Sequence, residues 1–253
     1  MAKGKRIHLL DEIRGVAIIC MVFFHAFYTM TYLFDMALGR TLLNFFAPAS
    51  PWFAGLFVLI SGISCRLSRS NAKRGAKLLA IALALSLVTW ALERYAGFQG
   101  LSIRFGILHL LAVCMLLYAL IGRGTDRLPF LLALPLWTAL FLVTRPLSDG
   151  YLWLFGYRAA LPEAVVNCPW LFPIGIVAPG FASADYYPLL PWMCLFFLGA
   201  NLGKWFAEGK LPAFFYNQHI RPVAFCGRNT LWIYLAHQPV IYGILWVVTQ
   251  IVK

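Results

Sequence analysis

Residues 12–34 read Glu12-Ile-Arg14-Gly15-Val-Ala-Ile-Ile-Cys20-Met-Val-Phe-Phe-His25-Ala-Phe-Tyr28-Thr29-Met-Thr-Tyr-Leu-Phe34. A bilayer core takes about 20 mainly apolar residues in helical form, and this run meets that length. The basic start, Met1 to Arg6, resembles the n-region of a signal peptide. The apolar run is too long for one and no clean small-residue cleavage site follows, so the expectation is a retained first membrane helix. Six further runs of the same kind follow, at about 51–68, 76–95, 103–122, 128–144, 188–206 and 223–250. The expected fold is therefore all-α: one polytopic transmembrane bundle of seven spans over residues 1–253, with no separate soluble domain.

Composition agrees. Apolar residues make up 62% of the 253 and charged residues 12%, with mean hydropathy +0.78. Soluble domains carry about twice that share of charge, so a soluble globule, a disordered chain and a disulfide scaffold are all disfavoured. The remaining charge is lopsided: 21 Lys+Arg against 9 Asp+Glu, net +12. In a soluble protein that would point to nucleic acid. In a membrane protein it records which loops face the cytoplasm, and no nucleic-acid partner is expected. Lys3, Lys5 and Arg6 precede the first span, and Arg66, Arg69, Lys73, Arg74 and Lys77 crowd the second connection. Arg123 and Arg127 flank the fourth, and Lys204, Lys210 and Arg221 lie in the sixth. The N-terminus is thus placed inside and, after seven spans, the C-terminus outside.

The longest connection, 145–187, faces outside and is rich in proline and aromatics. Such loops are ordered covers or functional lids. Cys168 is the one cysteine clearly in an outer loop, and no disulfide is expected. No Cys/His spacing of a metal site occurs, and no metal is expected.

Ionisable groups inside a membrane are costly and mark function. Arg14 and His25 are eleven residues apart, about 20° past three full turns, so they share one helix face about 16 Å apart along the axis. Asp11 and Arg14, three apart, can pair on that helix. His109 lies about 8 Å below Arg104 in the fourth span, and His237 about 21 Å along a seventh span entered near residue 223. Three histidines are therefore expected at similar depth in the outer half of the bilayer, with Trp52 at the same level. Neutral imidazoles suit acid–base work near pH 7. Ser61 and Gly62 offer close helix contact. The basic stretch 66–77 reads either as an orientation and anionic-lipid signal or as a phosphate-binding patch.

These residues carry a resemblance. Asp11, Arg14 and His25, with Phe57-Val-Leu-Ile-Ser61-Gly62 and the basic stretch from Arg66 to Lys77, resemble the first half of the membrane acyltransferase-three superfamily. The closer likeness is to bacterial proteins with a heparan-alpha-glucosaminide N-acetyltransferase catalytic domain. It rests on Asp11-Glu-Ile-Arg14-Gly15…His25, Pro51-Trp52-Phe53…Ser61-Gly62 and Arg104-Phe-Gly106-Ile-Leu-His109. It continues through Asp185-Tyr-Tyr-Pro188-Leu-Leu-Pro191-Trp192…Gly199 and Gly227-Arg228…Tyr234-Leu-Ala-His237-Gln238-Pro239.

The resemblance implies transfer of an acyl group, commonly acetyl, from cytosolic acetyl-CoA or another acyl-CoA to a hydroxyl or amine acceptor on the outer side, with carbohydrate among the candidates. It implies the cytoplasmic (inner) membrane of a bacterium, a chain in contact with lipid, and leaves oligomers open. His25 is expected to deprotonate the acceptor or to take the acyl group, with Asp11, Arg14, His109, His237 and Gln238 supporting it. Arg14, Ser61, Arg66, Arg69, Lys73 and Arg74 are expected at the CoA, and Trp52, Arg104 and Trp192 at the acceptor. The lysosomal enzymes of this type have Asn at the position of His25 and a histidine in the following loop. Residues 26–50 here contain none, so the role moves to His25 and the heparan substrate is not inherited. A small-metabolite carrier or channel, or a non-catalytic scaffold, fits the same composition. The inverted repeats and paired broken helices expected of a carrier are not seen.

Overall fold

The structure is a computed structural model that describes residues 6–97, 100–154 and 156–252. Lys3 and Lys5, and the side chain of Arg123, lie outside the described residues. The chain divides into two compact units. Met1–Ile60 and Glu208–Lys253 form the first, and Ser61–Ala207 the second.

The first unit is built on α1 (His8–Tyr32), α2 (Ala37–Phe46) and most of α3 (Ser50–Arg66). After the second unit it resumes with α9 (Ala213–Tyr216), α10 (Arg221–Arg228) and α11 (Thr230–Val252). α1 is the hub, with α2, α10 and α11 against it. Between α1 and α2 the chain reverses at Asp35, φ +47°, a backbone region that Asp tolerates better than most side chains. α1 and α10 touch backbone to backbone: a methyl on Gly15 would strike the Val223 carbonyl, and one on Gly227 the Asp11 carbonyl.

The second unit holds the end of α3, then α4 (Asn71–Ala96), α5 (Ile107–Thr125) and α6 (Phe130–Thr144). A hairpin follows, β1 (Tyr151–Leu154) with β2 (Tyr157–Ala160), then α7 (Glu163–Val166) and α8 (Leu189–Ala207). Ser70 caps α4, its Oγ accepting from the Lys73 N–H; Gly97 at φ +76° closes it, the left-handed residue that glycine supplies at helix ends. The end of α3 lies directly on α8, since a Cβ on Gly62 would meet the Phe196 carbonyl and one on Gly203 the Arg66 side chain. That is the close approach expected of Ser61-Gly62.

Each of the seven apolar runs is helical. Six stretches are long and apolar enough to cross a membrane: His8–Tyr32, Ala37–Arg66, Asn71–Ala96, Phe130–Asp149, Leu189–Ala207 and Thr230–Ile251; Ile107–Gly122 is apolar but shorter. The expected last span, 223–250, is two helices rather than one. Asn229 breaks it, its side-chain N–H donating back to the Phe225 carbonyl while its own carbonyl starts α11 by accepting from Ile233. A short amide bonding its own backbone competes with helix continuation in this way.

The connection between α6 and α8 is folded. β1 and β2 pair antiparallel from Tyr151↔Ala160 to Leu154↔Tyr157. The Ser148 hydroxyl donates to the Gly175 carbonyl at 2.9 Å, and the Tyr186 hydroxyl to the Phe172 carbonyl at 2.6 Å.

Candidate functional site

On α1 the expected ion pair forms: Arg14 Nη1 lies 3.2 Å from Asp11 Oδ1, and Arg6 Nε lies 2.7 Å from Asp11 Oδ2. Asp11 is 4% exposed, so its charge is met by two guanidiniums. Beside it stands a group that spacing did not reveal. Glu12, also buried, accepts from the His219 and Ile220 backbone N–H groups at 2.6 and 2.8 Å, and pairs with His219 Nδ1 at 3.0 Å. Those amides lead into α10, where a helix start leaves N–H groups without intrahelical partners and carries partial positive charge.

Further along the same face, His25 meets α11. Gln238 Nε2 donates to His25 Nδ1 at 3.0 Å, and the His25 and His237 rings lie 4.9 Å apart between centroids. Thr29, fully buried, donates its hydroxyl hydrogen to Gln238 Oε1 at 3.3 Å. The His237 ring is buried, and its Nδ1 bonds the Tyr234 carbonyl at 2.5 Å. The two rings stand at one level of α1 and α11. Because α11 starts at Thr230, that depth is reached after seven residues, about 10 Å.

His109 belongs to the second unit and has both ring nitrogens engaged there. Nδ1 accepts from the Gly106 N–H at 3.2 Å, and Nε2 faces Ser86 Oγ at 3.3 Å, whose hydroxyl donates to the Ile103 carbonyl. Asp185, from the connection that precedes α8, caps the same helix start by accepting from Ile107 N–H at 3.0 Å. Gly106 has room for no Cβ, because Asp185 Oδ2 would lie 2.6 Å away. The motif residues Gly106, His109 and Asp185 thus come together as the N-terminal cap of α5.

Arg104 is exposed, with its guanidinium 5.5 Å above the Phe181 ring. It lines a cavity of about 640 Å³ with Ser86, Trp90, Glu93, Arg94 and Phe172. Trp192 packs between Phe141 and Tyr187 instead. Trp52, in the first unit, is 81% exposed at the start of α3.

Of the basic stretch, Arg66 is engaged by Asp126 and by the Tyr118 hydroxyl. Arg69, Lys73 and Arg74 are exposed, the last two in the first turn of α4. Ser61 is buried. Outside the spans, burial pushes the Tyr186 phenol up to about 12 and raises that of Tyr187 as well.

Six stretches long and apolar enough to cross a membrane mark a multi-pass helical membrane protein. Residues 6–239 match the family model of the heparan-alpha-glucosaminide N-acetyltransferase catalytic domain. The chain belongs to that family, which implies acyltransferase activity. No curated protein and no solved structure gives a match.

Proposed function

We propose that the protein moves an acyl group, acetyl in the first instance, from cytosolic acyl-CoA to a hydroxyl or amine on the outer side of a bacterial cytoplasmic membrane. The two units act as one acyltransferase domain in this reading. The observation that carries it is the composition of one face of α1. That face has a guanidinium, Arg14, held by Asp11 at one end and His25, held by Gln238, at the other. The two are about 16 Å apart along the axis, the order of an extended pantetheine arm. Imidazole at the reaction centre supplies acid–base catalysis near neutral pH.

The 3′- and pyrophosphate charges of CoA call for cations at the cytoplasmic side. Exposed Arg69, Lys73 and Arg74 supply them in the second unit, strengthened by the N-terminus of α4. Arg66 is already neutralised by Asp126, so it serves to fix the start of this surface. The acceptor is matched by the Arg104 cavity, whose indole, carboxylate and guanidinium groups suit a hydroxyl-bearing molecule such as a sugar.

The test is purified protein with labelled acetyl-CoA and a panel of sugars and amines. Product with CoA release, and weaker CoA binding in Arg69→Ala/Arg74→Ala, is the expected result. No CoA release with any acceptor, with CoA binding unaltered by that double substitution, refutes the reading. Acetyl-CoA-independent counterflow of a metabolite in liposomes would make the protein a carrier instead.

A further inference from the structure

We propose that His237 is the general base of the reaction and that His25 is its hydrogen-bond donor; the assignment rests on the acyl-transfer reading above. It follows from where the protons must sit. The Tyr234 carbonyl can only accept, so the His237 Nδ1 that bonds it carries the hydrogen. A neutral ring then has its lone pair on Nε2. That atom is buried and meets no hydrogen-bond partner among the described residues. The whole residue is 8% exposed. A buried acceptor without a partner is destabilising, and in native structures it asks for an explanation.

His25 has the opposite arrangement. The Gln238 amide nitrogen can only donate, so His25 Nδ1 accepts and the hydrogen lies on Nε2. The other end of that amide, Gln238 Oε1, accepts from the Thr29 hydroxyl at 3.3 Å. Two rings 4.9 Å apart and inclined by 54° thus present one lone pair and one N–H. The other titratable ring against His237 is its own helix neighbour Tyr234, at 5.5 Å; from α1 the facing group is His25.

The step balances with these two groups. The acceptor O–H or N–H gives its proton to His237 Nε2 as its heteroatom bonds to the thioester carbonyl carbon. The carbonyl electron pair moves onto oxygen, which accepts a hydrogen bond from His25 Nε2–H. Collapse re-forms the carbonyl and breaks the C–S bond. The departing thiolate takes the proton from the His237 imidazolium, leaving acylated acceptor, CoA thiol and neutral His237. Thr29 and Gln238 are positioning residues.

Two measurements on the full chain in lipid bilayers test this. Solid-state 15N spectra of histidine-labelled protein, assigned by difference against His25→Gln and His237→Asn, read the proton positions directly. Nδ1–H at His237 with Nε2–H at His25 is expected, and the reverse pair overturns the proposal. The second measurement is CoA thiol release from acetyl-CoA, with glucosamine or water as the probe acceptor. His237→Asn keeps a donor near Nδ1 and removes the lone pair. It is expected to lose about 10²–10⁴-fold in rate, together with the acidic limb of the pH profile. His25→Gln keeps an N–H near Nε2. It is expected to lose about 10-fold and to retain that limb. Loss of the limb in His25→Gln with retention in His237→Asn, or equal loss in both, overturns the assignment. If wild-type protein releases no CoA with either probe, the acyl-transfer reading is what fails, and the 15N spectra still decide the proton positions.

Discussion

Replacing Glu12 by alanine removes the carboxylate that joins α1 to the entry of α10. Three contacts go: two backbone N–H groups at 2.6 and 2.8 Å and the His219 ring at 3.0 Å. Hydrogen bonds to a charged group contribute about 1.5–3 kcal/mol each. His219 and Ile220 are exposed, so water can replace part of the loss, and the low end applies. The expected cost is about 4–5 kcal/mol for Glu12→Ala. Glu12→Gln keeps one acceptor oxygen for the two amides, and its cost is about 1–2 kcal/mol. The damage should be local, because α10 touches α1 through Gly15 and Gly227 and has little apolar surface of its own. The assay is hydrogen exchange of residues 221–228 in detergent micelles, with thermal melting alongside. Faster exchange confined to α10, in the order Ala, Gln, wild type, is the expected pattern. Unchanged exchange in the alanine variant would refute the view that this carboxylate holds α10.

Three further outcomes are expected. Gly227→Ala should destabilise by about 1–3 kcal/mol or more through overpacking, since the methyl meets the Asp11 backbone. Gly243→Ala, whose methyl enters open space on α11, should be neutral or stabilising; melting curves compare the pair. Arg69→Ala/Arg74→Ala should raise KM for acetyl-CoA severalfold with kcat little changed, as measured by steady-state CoA release. Tyr186 donates from a phenol whose pKa burial pushes up to about 12. Its neutral form is favoured by folding, so that contribution is complete below pH about 10 and lost as pH rises from there towards 12. Tryptophan fluorescence of the connection between α6 and α8 should follow that window in wild type and lose it in Tyr186→Phe.

The long helices were legible because an apolar run of bilayer length admits few other structures. The Arg14–His25 face followed from helical periodicity, and Asp11–Arg14 from their i, i+3 spacing. What spacing could not convey is partnership at long range. Thr29 and Gln238 are 209 residues apart, and Glu12 and His219 are 207 apart. Nothing local marks Thr29 among the threonines of α1. Short elements were missed for a related reason. α2 is too brief to register as a hydropathy run, α10 merged with α11 into one expected span, and the break at Asn229 depends on one side chain turning back on its own backbone. A buried acid at position 12 beside a span was the available signal for the α10 anchor. His109 looked like a third member of a histidine cluster, and its bonds to Gly106 and Ser86 were invisible without the turn that brings 102–106 under α4.

The glycine contact between α1 and α10 also sets a tolerance. Gly227 is seated on the Asp11 carbonyl, and His237 stands only seven residues into α11. One residue inserted between Thr230 and His237 would turn the imidazole about 100° and raise it about 1.5 Å. The β1–β2 hairpin could gain or lose several residues with far less consequence. Length in this protein is therefore policed unevenly: freely variable at the β1–β2 hairpin, and held to a single residue between the seat of α10 and the ring that faces His25.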